Sequence, residues 1–130
     1  MCIQKFINNE SEGLEMLTLP IKKQWFNMIL KGVKKEEYRD IKPYYTSRFS
    51  KLFGISKHTL LYYDGQNYNV DFENSCAYIK FRNGYSKNSP SFIATVSISI
   101  GEGNPEWGAE PNKKYYVLKI LGIEEAKENG

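Results

Sequence analysis

Histidine and cysteine are scarce in this chain of 130 residues, which has one histidine, His58, and two cysteines, Cys2 and Cys76. A metal site needs several such ligands together, and a lone histidine does not predict a Ser-His-Asp triad. No metal or other cofactor is therefore expected. Two cysteines are too few for a disulfide framework, which suits a reducing cytoplasm.

Long apolar runs are missing as well. No segment approaches the ~20 apolar residues needed to span a bilayer, and the start, "MCIQKFINNESEG", lacks the apolar region of a signal peptide. A cytoplasmic protein without membrane contact is therefore expected. The glycine-rich stretch "GEGNPEWG" lacks the Lys-Ser/Thr ending of a phosphate-binding loop and does not lead into a helix.

The composition is typical of one soluble globular domain, with 41% apolar and 25% charged residues. Both ends of the chain are polar. The predicted organisation is a flexible segment over 1–13, a folded domain over 14–123 and a polar tail over 124–130.

Basic residues are concentrated in one third of the chain. Residues 22–57 hold ten lysines or arginines and three acids, a local balance of +7 on a chain of net charge +3. Such a segment can form the binding surface for a polyanion such as RNA. The alternative is that the lysines only cover solvated helix faces.

The first predicted elements are a strand and a helix. The stretch "LEMLTL" alternates as a strand does, and Pro20 after it can open a helix. Ile21, Trp25, Met28 and Ile29 then form an apolar helical stripe, which places Trp25 in the core. Gly32 follows where a helix C-terminus favours a left-handed residue.

The next segment, "GVKKEEYRD" (residues 32–40), is unusually rich in opposite charges. A return strand would place Glu37 and Arg39 on one face, with Glu36, Tyr38 and Asp40 on the other and Lys34 in the turn before them. Two interpretations remain open: an exposed pair on a solvated edge, or a polar site inside a cleft. The pattern alone favours the exposed pair.

The rest of the chain predicts one more helix and several strands. A helix is expected from Pro43, with Gly54 as its stop, and "TLLYYDGQNYNV" (59–70) is interpreted as a hairpin around Asp64-Gly65. The segments "CAYIKFRN", "FIATVSISI" and "YYVLKILGI" are predicted strands, the last covered on both faces. This order of elements favours an α+β fold or a small barrel over a doubly wound sheet.

The charged segment also matches the pattern Gly-x-Lys-x-x-Glu-x-Arg, at Gly32, Lys34, Glu37 and Arg39. With the helix before it and the later "FRNGYSKNSPSF" and "GEGNPEWGAEPNKKYYVLKI", it resembles the ASCH domain of the PUA-like superfamily, in its bacterial or phage-type form. The resemblance covers about residues 14–123. It implies a small PUA-like β-barrel with about two flanking helices, a cleft near the motif, and a role with RNA or nucleosides.

The resemblance also bears on catalysis. One group of ASCH proteins hydrolyses the amide of N4-acetylcytidine with a lysine, a threonine and a distant glutamate. Lys34 matches the lysine, but Glu37 stands at the threonine position. That activity is therefore not expected here.

These observations predict a domain that binds RNA or a modified nucleoside in a cleft. Lys34, Glu37 and Arg39 would form the floor, with Arg82, Tyr85 and Trp107 as walls, although the two loop aromatics could equally serve loop packing. One alternative is a hydrolase, of amidohydrolase or ribonuclease type, that uses Lys34 and Glu37. A third is a protein-interaction module without a ligand.

Overall fold

A computed structural model of the chain describes residues 16–62 and 75–127. These residues form an α+β fold of three α-helices and a curled five-stranded sheet. The strands are β1 (Thr18–Ile21), β2 (Glu36–Arg39), β3 (Cys76–Asn83), β4 (Ser91–Glu102) and β5 (Lys114–Lys127), and the helices are α1 (Lys23–Leu30), α2 (Pro43–Phe53) and α3 (Lys57–Tyr62). A 3₁₀-helix, Pro105–Trp107, lies in the β4–β5 connection.

The strands are ordered β1-β3-β4-β5-β2 across the sheet, with β1 parallel to β3 and all other pairs antiparallel. The two edge strands, β1 and β2, are therefore neighbours in sequence, separated only by α1 and its turn. The sheet curls into a half-barrel, which confirms the barrel-like sheet with flanking helices. The curl brings the edges close enough for the Arg39 Nη2 on β2 to donate a hydrogen bond to the Pro20 carbonyl on β1, at 2.9 Å.

The main core lies inside the curl. The predicted alternation in β3 and β4 is confirmed, since every second residue from Ala77 to Phe81 and from Phe92 to Ile98 is buried. Helices α1 and α2 contribute buried aromatic and aliphatic side chains to the same cluster, namely Phe26, Ile29, Phe49 and Phe53. These helix side chains pack with the inner face of the sheet in one hydrophobic core.

Helix α1 begins later than the sequence predicted. Pro20 and Ile21 belong to β1, and α1 buries Phe26 and Ile29, whereas Trp25 is only half-buried. The prediction that Trp25 lies in the core is therefore wrong. Proline is tolerated on an edge strand because its missing N–H removes no ladder hydrogen bond on the open side.

The predicted helix ends are confirmed. Gly32 has φ 78°, and the amides of Gly32 and Val33 donate to the carbonyls of Ile29 and Met28, the paired bonds of a Schellman motif. Helix α2 begins at Pro43 and is capped by Gly54 in the left-handed conformation.

Two strand predictions need correction. Residues 59–62 of the expected hairpin belong to α3, where the Ser56 hydroxyl accepts a hydrogen bond from the Thr59 amide as an N-terminal cap does. The Asp64-Gly65 turn lies outside the described residues. Strand β5 is buried from Tyr115 to Leu118, but Leu121 and Ile123 are exposed, so the prediction of cover on both faces is correct only for the first half.

No helix within 16–62 and 75–127 is long and apolar enough to cross a membrane. Cys76 is disulfide-bonded, and the chain's other cysteine, Cys2, lies outside the described residues. A single bridge is not a disulfide framework.

Candidate functional site

The turn after α1 directs Lys34 into the protein. Its amide donates to the carbonyl of Met28, as the amide of Val33 does, which folds the chain back over the helix end. The left-handed Gly32 makes this turn possible, since a side chain there would be strained. Lys34 consequently has only 1% of its surface exposed, which is rare for a lysine.

The buried ammonium of Lys34 has several partners. Its Nζ donates to the carbonyl of Trp107 at 2.7 Å and lies 3.2 Å from Glu37 Oε1. The Nζ also lies over the rings of Trp25 and Tyr38, 4.9 and 5.0 Å from their centroids. A carboxylate, a carbonyl and two π-faces together compensate the loss of hydration that burial imposes on a cation.

Glu37 and Arg39 lie on the core face of β2. They pair in register with Leu118 and Tyr116 of β5, both members of the main core. Glu37 is buried, and its Oε2 accepts from Arg39 Nη2 at 2.9 Å. The side chains of this pair are 9% and 12% exposed, so the alternative of a solvated surface pair is wrong.

Arg39 connects three elements. Besides its bond to Pro20 on β1, its Nη1 donates to the hydroxyl of Tyr45 on α2 at 3.1 Å. Its Nε is buried and has no hydrogen-bond partner among the described residues. The guanidinium therefore holds the open side of the half-barrel together and keeps unused donor capacity.

The three charges alternate in sign from Lys34 through Glu37 to Arg39. Burial lowers the pKa of Lys34 from its ordinary value, while the adjacent Glu37 carboxylate opposes that shift. With one carboxylate between two cations, the cluster carries a net positive charge when all three groups are ionised. An anionic or electron-rich ligand is favoured next to such a cluster.

A cavity of about 460 Å³ opens beside this cluster, within the ~300–1,000 Å³ range of small-molecule sites. Glu37 and Arg39 form its polar floor. The cavity lies between the end of β1, the start of α1 and the turn after β3, and its lining residues are Pro20, Ile21, Lys22, Lys23, Trp25, Glu37, Arg39, Asn83, Gly84 and Tyr85.

Trp25 is an aromatic lining residue that the sequence did not predict. It borders the cavity, and its ring centroid lies 4.9 Å from the Lys34 Nζ, so Trp25 contacts both the cavity and the buried ammonium. The sequence contained one usable signal, because Phe26 could equally occupy the core side of the helix. Periodicity could not decide which of two adjacent aromatic residues would face inward.

The predicted wall residues are placed differently from one another. Tyr85 lines the cavity and is 84% exposed, so its ring is available to a ligand. Arg82 lies next to this turn and donates from Nε to the Gly84 carbonyl at 3.3 Å, without lining the cavity. Trp107 contributes its carbonyl to Lys34 and is also absent from the lining.

The β4–β5 connection contacts two of the aromatic residues around Lys34. The Asn104 amide donates to the Tyr38 hydroxyl at 2.9 Å, which holds the connection against β2. A side chain at Gly108 would lie 3.1 Å from the Trp25 ring, and one at Gly103 would lie 2.6 Å from the Tyr38 ring. Glycine at both positions lets the connection pack closely against the aromatic residues around Lys34.

Within the described part of the chain, no three His, Cys, Asp or Glu residues are grouped so that they could hold a metal ion. No family model, no curated protein and no solved structure matches the chain. The site is thus defined by its geometry: a cavity at the open side of a half-barrel, with a buried ion-paired floor and aromatic side chains beside it.

Proposed function

We propose that this chain is an ASCH-type domain of the PUA-like superfamily that binds RNA or a modified nucleoside in the cavity. The observation that carries the proposal is the buried Glu37–Arg39 pair on the floor of a cavity bordered by Trp25 and Tyr85. The four residues of the Gly-x-Lys-x-x-Glu-x-Arg pattern that suggested the family converge there: Gly32 shapes the turn, Lys34 and Arg39 flank Glu37, and Glu37 faces the cavity.

The floor offers both acceptors and donors to a base edge. Each Glu37 oxygen has one charged partner, so part of its acceptor capacity is free. Arg39 uses three of the five N–H donors of a guanidinium on Tyr45, Pro20 and Glu37. A base that presents an adjacent donor and acceptor would find partners for both.

The walls are suited to stacking. Trp25 and Tyr85 approach the cavity from α1 and from the β3–β4 turn. A base held between or against such rings gains ~1–3 kcal/mol per stacking contact in single-strand binders. The proposed ligand is therefore planar and aromatic, with polar edge atoms that reach the floor.

The hydrolase alternative, with Lys34 and Glu37 as the reacting pair, has less support. A lowered pKa would favour the neutral amine that a nucleophile requires. However, Lys34 is enclosed by the Trp107 carbonyl, Trp25 and Tyr38 and does not line the cavity. Lys34 is better suited to holding Glu37 in place.

Calorimetric titration with a panel of modified nucleosides and short RNAs tests the proposal. We expect binding by the unmutated protein, and a clear loss for Arg39→Gln because Glu37 loses one of its two cationic partners and the floor loses donors. Trp25→Ala should weaken binding about tenfold if one stacking contact of ~1–3 kcal/mol is removed. Tyr62→Ala removes an exposed aromatic residue that does not line the cavity, and it should bind like the unmutated protein.

Absence of binding across the panel would contradict the proposal and favour the interaction-module alternative. Turnover would favour the hydrolase, and the same panel monitored by chromatography detects it. We expect no release of acetate from N4-acetylcytidine, because Glu37 replaces the threonine of the hydrolytic group. Robust release would show that this substitution matters less than the resemblance implies.

A further inference from the structure

We infer that the ligand of this cavity carries a phosphate group, which Lys22 and Lys23 bind at the mouth while the base contacts Trp25 and the floor. The inference rests on the proposed function and narrows it from nucleosides to phosphorylated nucleotides. A free nucleotide and an RNA end share this chemistry, and the experiment below distinguishes them.

The charge of the site favours an anion. Lys22, Lys23 and Arg39 line the cavity, and Lys34 contacts the lining residues Trp25 and Glu37. Among the lining residues that the structure describes, Glu37 is the one acid. Glu37 is already paired with both Lys34 and Arg39. These four cations and one carboxylate give a net charge of +3. An uncharged nucleoside has no anionic group to neutralise it.

Lys22 and Lys23 have their charges available. Both are exposed, and neither forms an ion pair with any residue in 16–62 or 75–127. They also stand at the start of α1, where the Lys22 side chain makes no capping hydrogen bond and no acid occupies the first turn. The partial positive charge of a helix N-terminus adds to the attraction for an anion next to these lysines.

The spacing along α1 matches the parts of a nucleotide. Trp25 lies three residues after Lys22, a rise of ~4.5 Å along the helix axis. A ribose can bridge a separation of this order between a stacked base and its 5′-phosphate. The cations at the mouth and the aromatic wall are therefore placed to contact two parts of one molecule.

The test compares four nucleosides, adenosine, cytidine, guanosine and uridine, with their 5′-monophosphates by calorimetric titration. We expect the best monophosphate to bind at least tenfold more tightly than its nucleoside. In the Lys22→Gln/Lys23→Gln variant this ratio should fall close to one. The control variant Lys31→Gln/Lys35→Gln removes the same charge from two exposed lysines that do not line the cavity, and it should keep the ratio.

A second arm identifies the source of the phosphate, using a short RNA with and without a 5′-terminal phosphate. Tighter binding of the phosphorylated RNA, lost in Lys22→Gln/Lys23→Gln, would indicate an RNA end. Binding of monophosphates without binding of either RNA would indicate a free nucleotide. Both results support the inference.

Other outcomes overturn it. If a nucleoside and its monophosphate bind equally, the proposed function stands and the phosphate site is wrong. Equal losses in the two lysine variants would show general attraction without a site at the mouth. If no probe binds, the proposed function fails, and the inference fails with it.

Discussion

The two faces of β2 carry similar residues in opposite environments. On the core face, Glu37 and Arg39 are buried and pair with each other beside Lys34. We call the other face the loop face. There the Tyr38 hydroxyl donates to Glu36 at 2.7 Å, and the Tyr38 ring packs near the Tyr115 ring under the β4–β5 connection. Just beyond the strand, Asp40 pairs with Lys113 where both side chains are at least 40% exposed.

This difference shows that the function of a charge depends on what lies opposite it in the sheet. Glu37 and Arg39 lie opposite Leu118 and Tyr116, whose side chains belong to the core. Because little water reaches them there, the two side chains compensate each other's charge. Asp40 and Lys113 remain hydrated and gain little from meeting.

Glu37→Gln should give the largest loss of stability. The substitution keeps the shape of the side chain but leaves Lys34 and Arg39 as neighbouring buried cations without a carboxylate. Breaking a buried ion pair in this way costs about 3–5 kcal/mol, and the low end is expected beside an open cavity. Urea unfolding measures the change. A loss under about 1 kcal/mol would show that the cavity solvates these charges as a surface does.

A double-mutant cycle measures the coupling between Lys34 and Glu37. Lys34→Met removes one of the two stranded cations, so Lys34→Met/Glu37→Gln should lose less stability than the two single changes added together. Additive losses would show that Lys34 and Glu37 are not coupled, despite the 3.2 Å between their charged atoms.

On the loop face, Tyr38 should make stability depend on alkaline pH. Burial raises its pKa above the ordinary 10, and the carboxylates of Glu36 and Glu37 act in the same direction, against the opposing hydrogen bond from Asn104. Above pH 10 the unfolded chain releases a phenolic proton that the folded chain retains. The contribution of Tyr38 is therefore complete below pH 10 and is lost as pH rises above it.

Urea unfolding between pH 9 and 11 measures this slope. Tyr38→Phe should be less stable at neutral pH, since it loses the bonds to Glu36 and Asn104, but its stability should fall less steeply above pH 10. Tyr62→Phe is the matched control, because Tyr62 is 69% exposed. Equal slopes for the unmutated protein and Tyr38→Phe would mean that other groups, such as the buried Tyr116, cause the alkaline loss.

Asp40→Asn should have the smallest effect. The pair with Lys113 is exposed and therefore screened by salt. Hydrogen bonding to Asp40 raises the pKa of Lys113, but in water this stabilises the fold little. We expect a change within the error of urea unfolding at both low and high salt. A loss of stability comparable to that of Glu37→Gln would show that the exposed Asp40 pair and the buried Glu37 pair contribute equally to the fold.

Several features of the fold and the site could be predicted from local sequence. Gly32 and Gly54 mark helix ends because a left-handed residue there favours glycine. The two-residue period of strands correctly put Glu37 and Arg39 on one face. The same reasoning failed at residues 59–62, where a serine cap stabilises a helix in an aromatic segment that resembles a strand.

Local sequence was sufficient to predict the order of most elements and the face that each strand residue occupies, because these depend on backbone geometry within a few residues. It did not determine which faces are buried. Only the curl of the sheet brings Arg39 to Pro20, and only the β4–β5 connection covers Lys34 with the Trp107 carbonyl. Trp25 borders the cavity and Phe26 enters the core for the same reason. Burial depends on surfaces contributed by distant segments, and the spacing of apolar residues along one helix or strand does not reveal those surfaces.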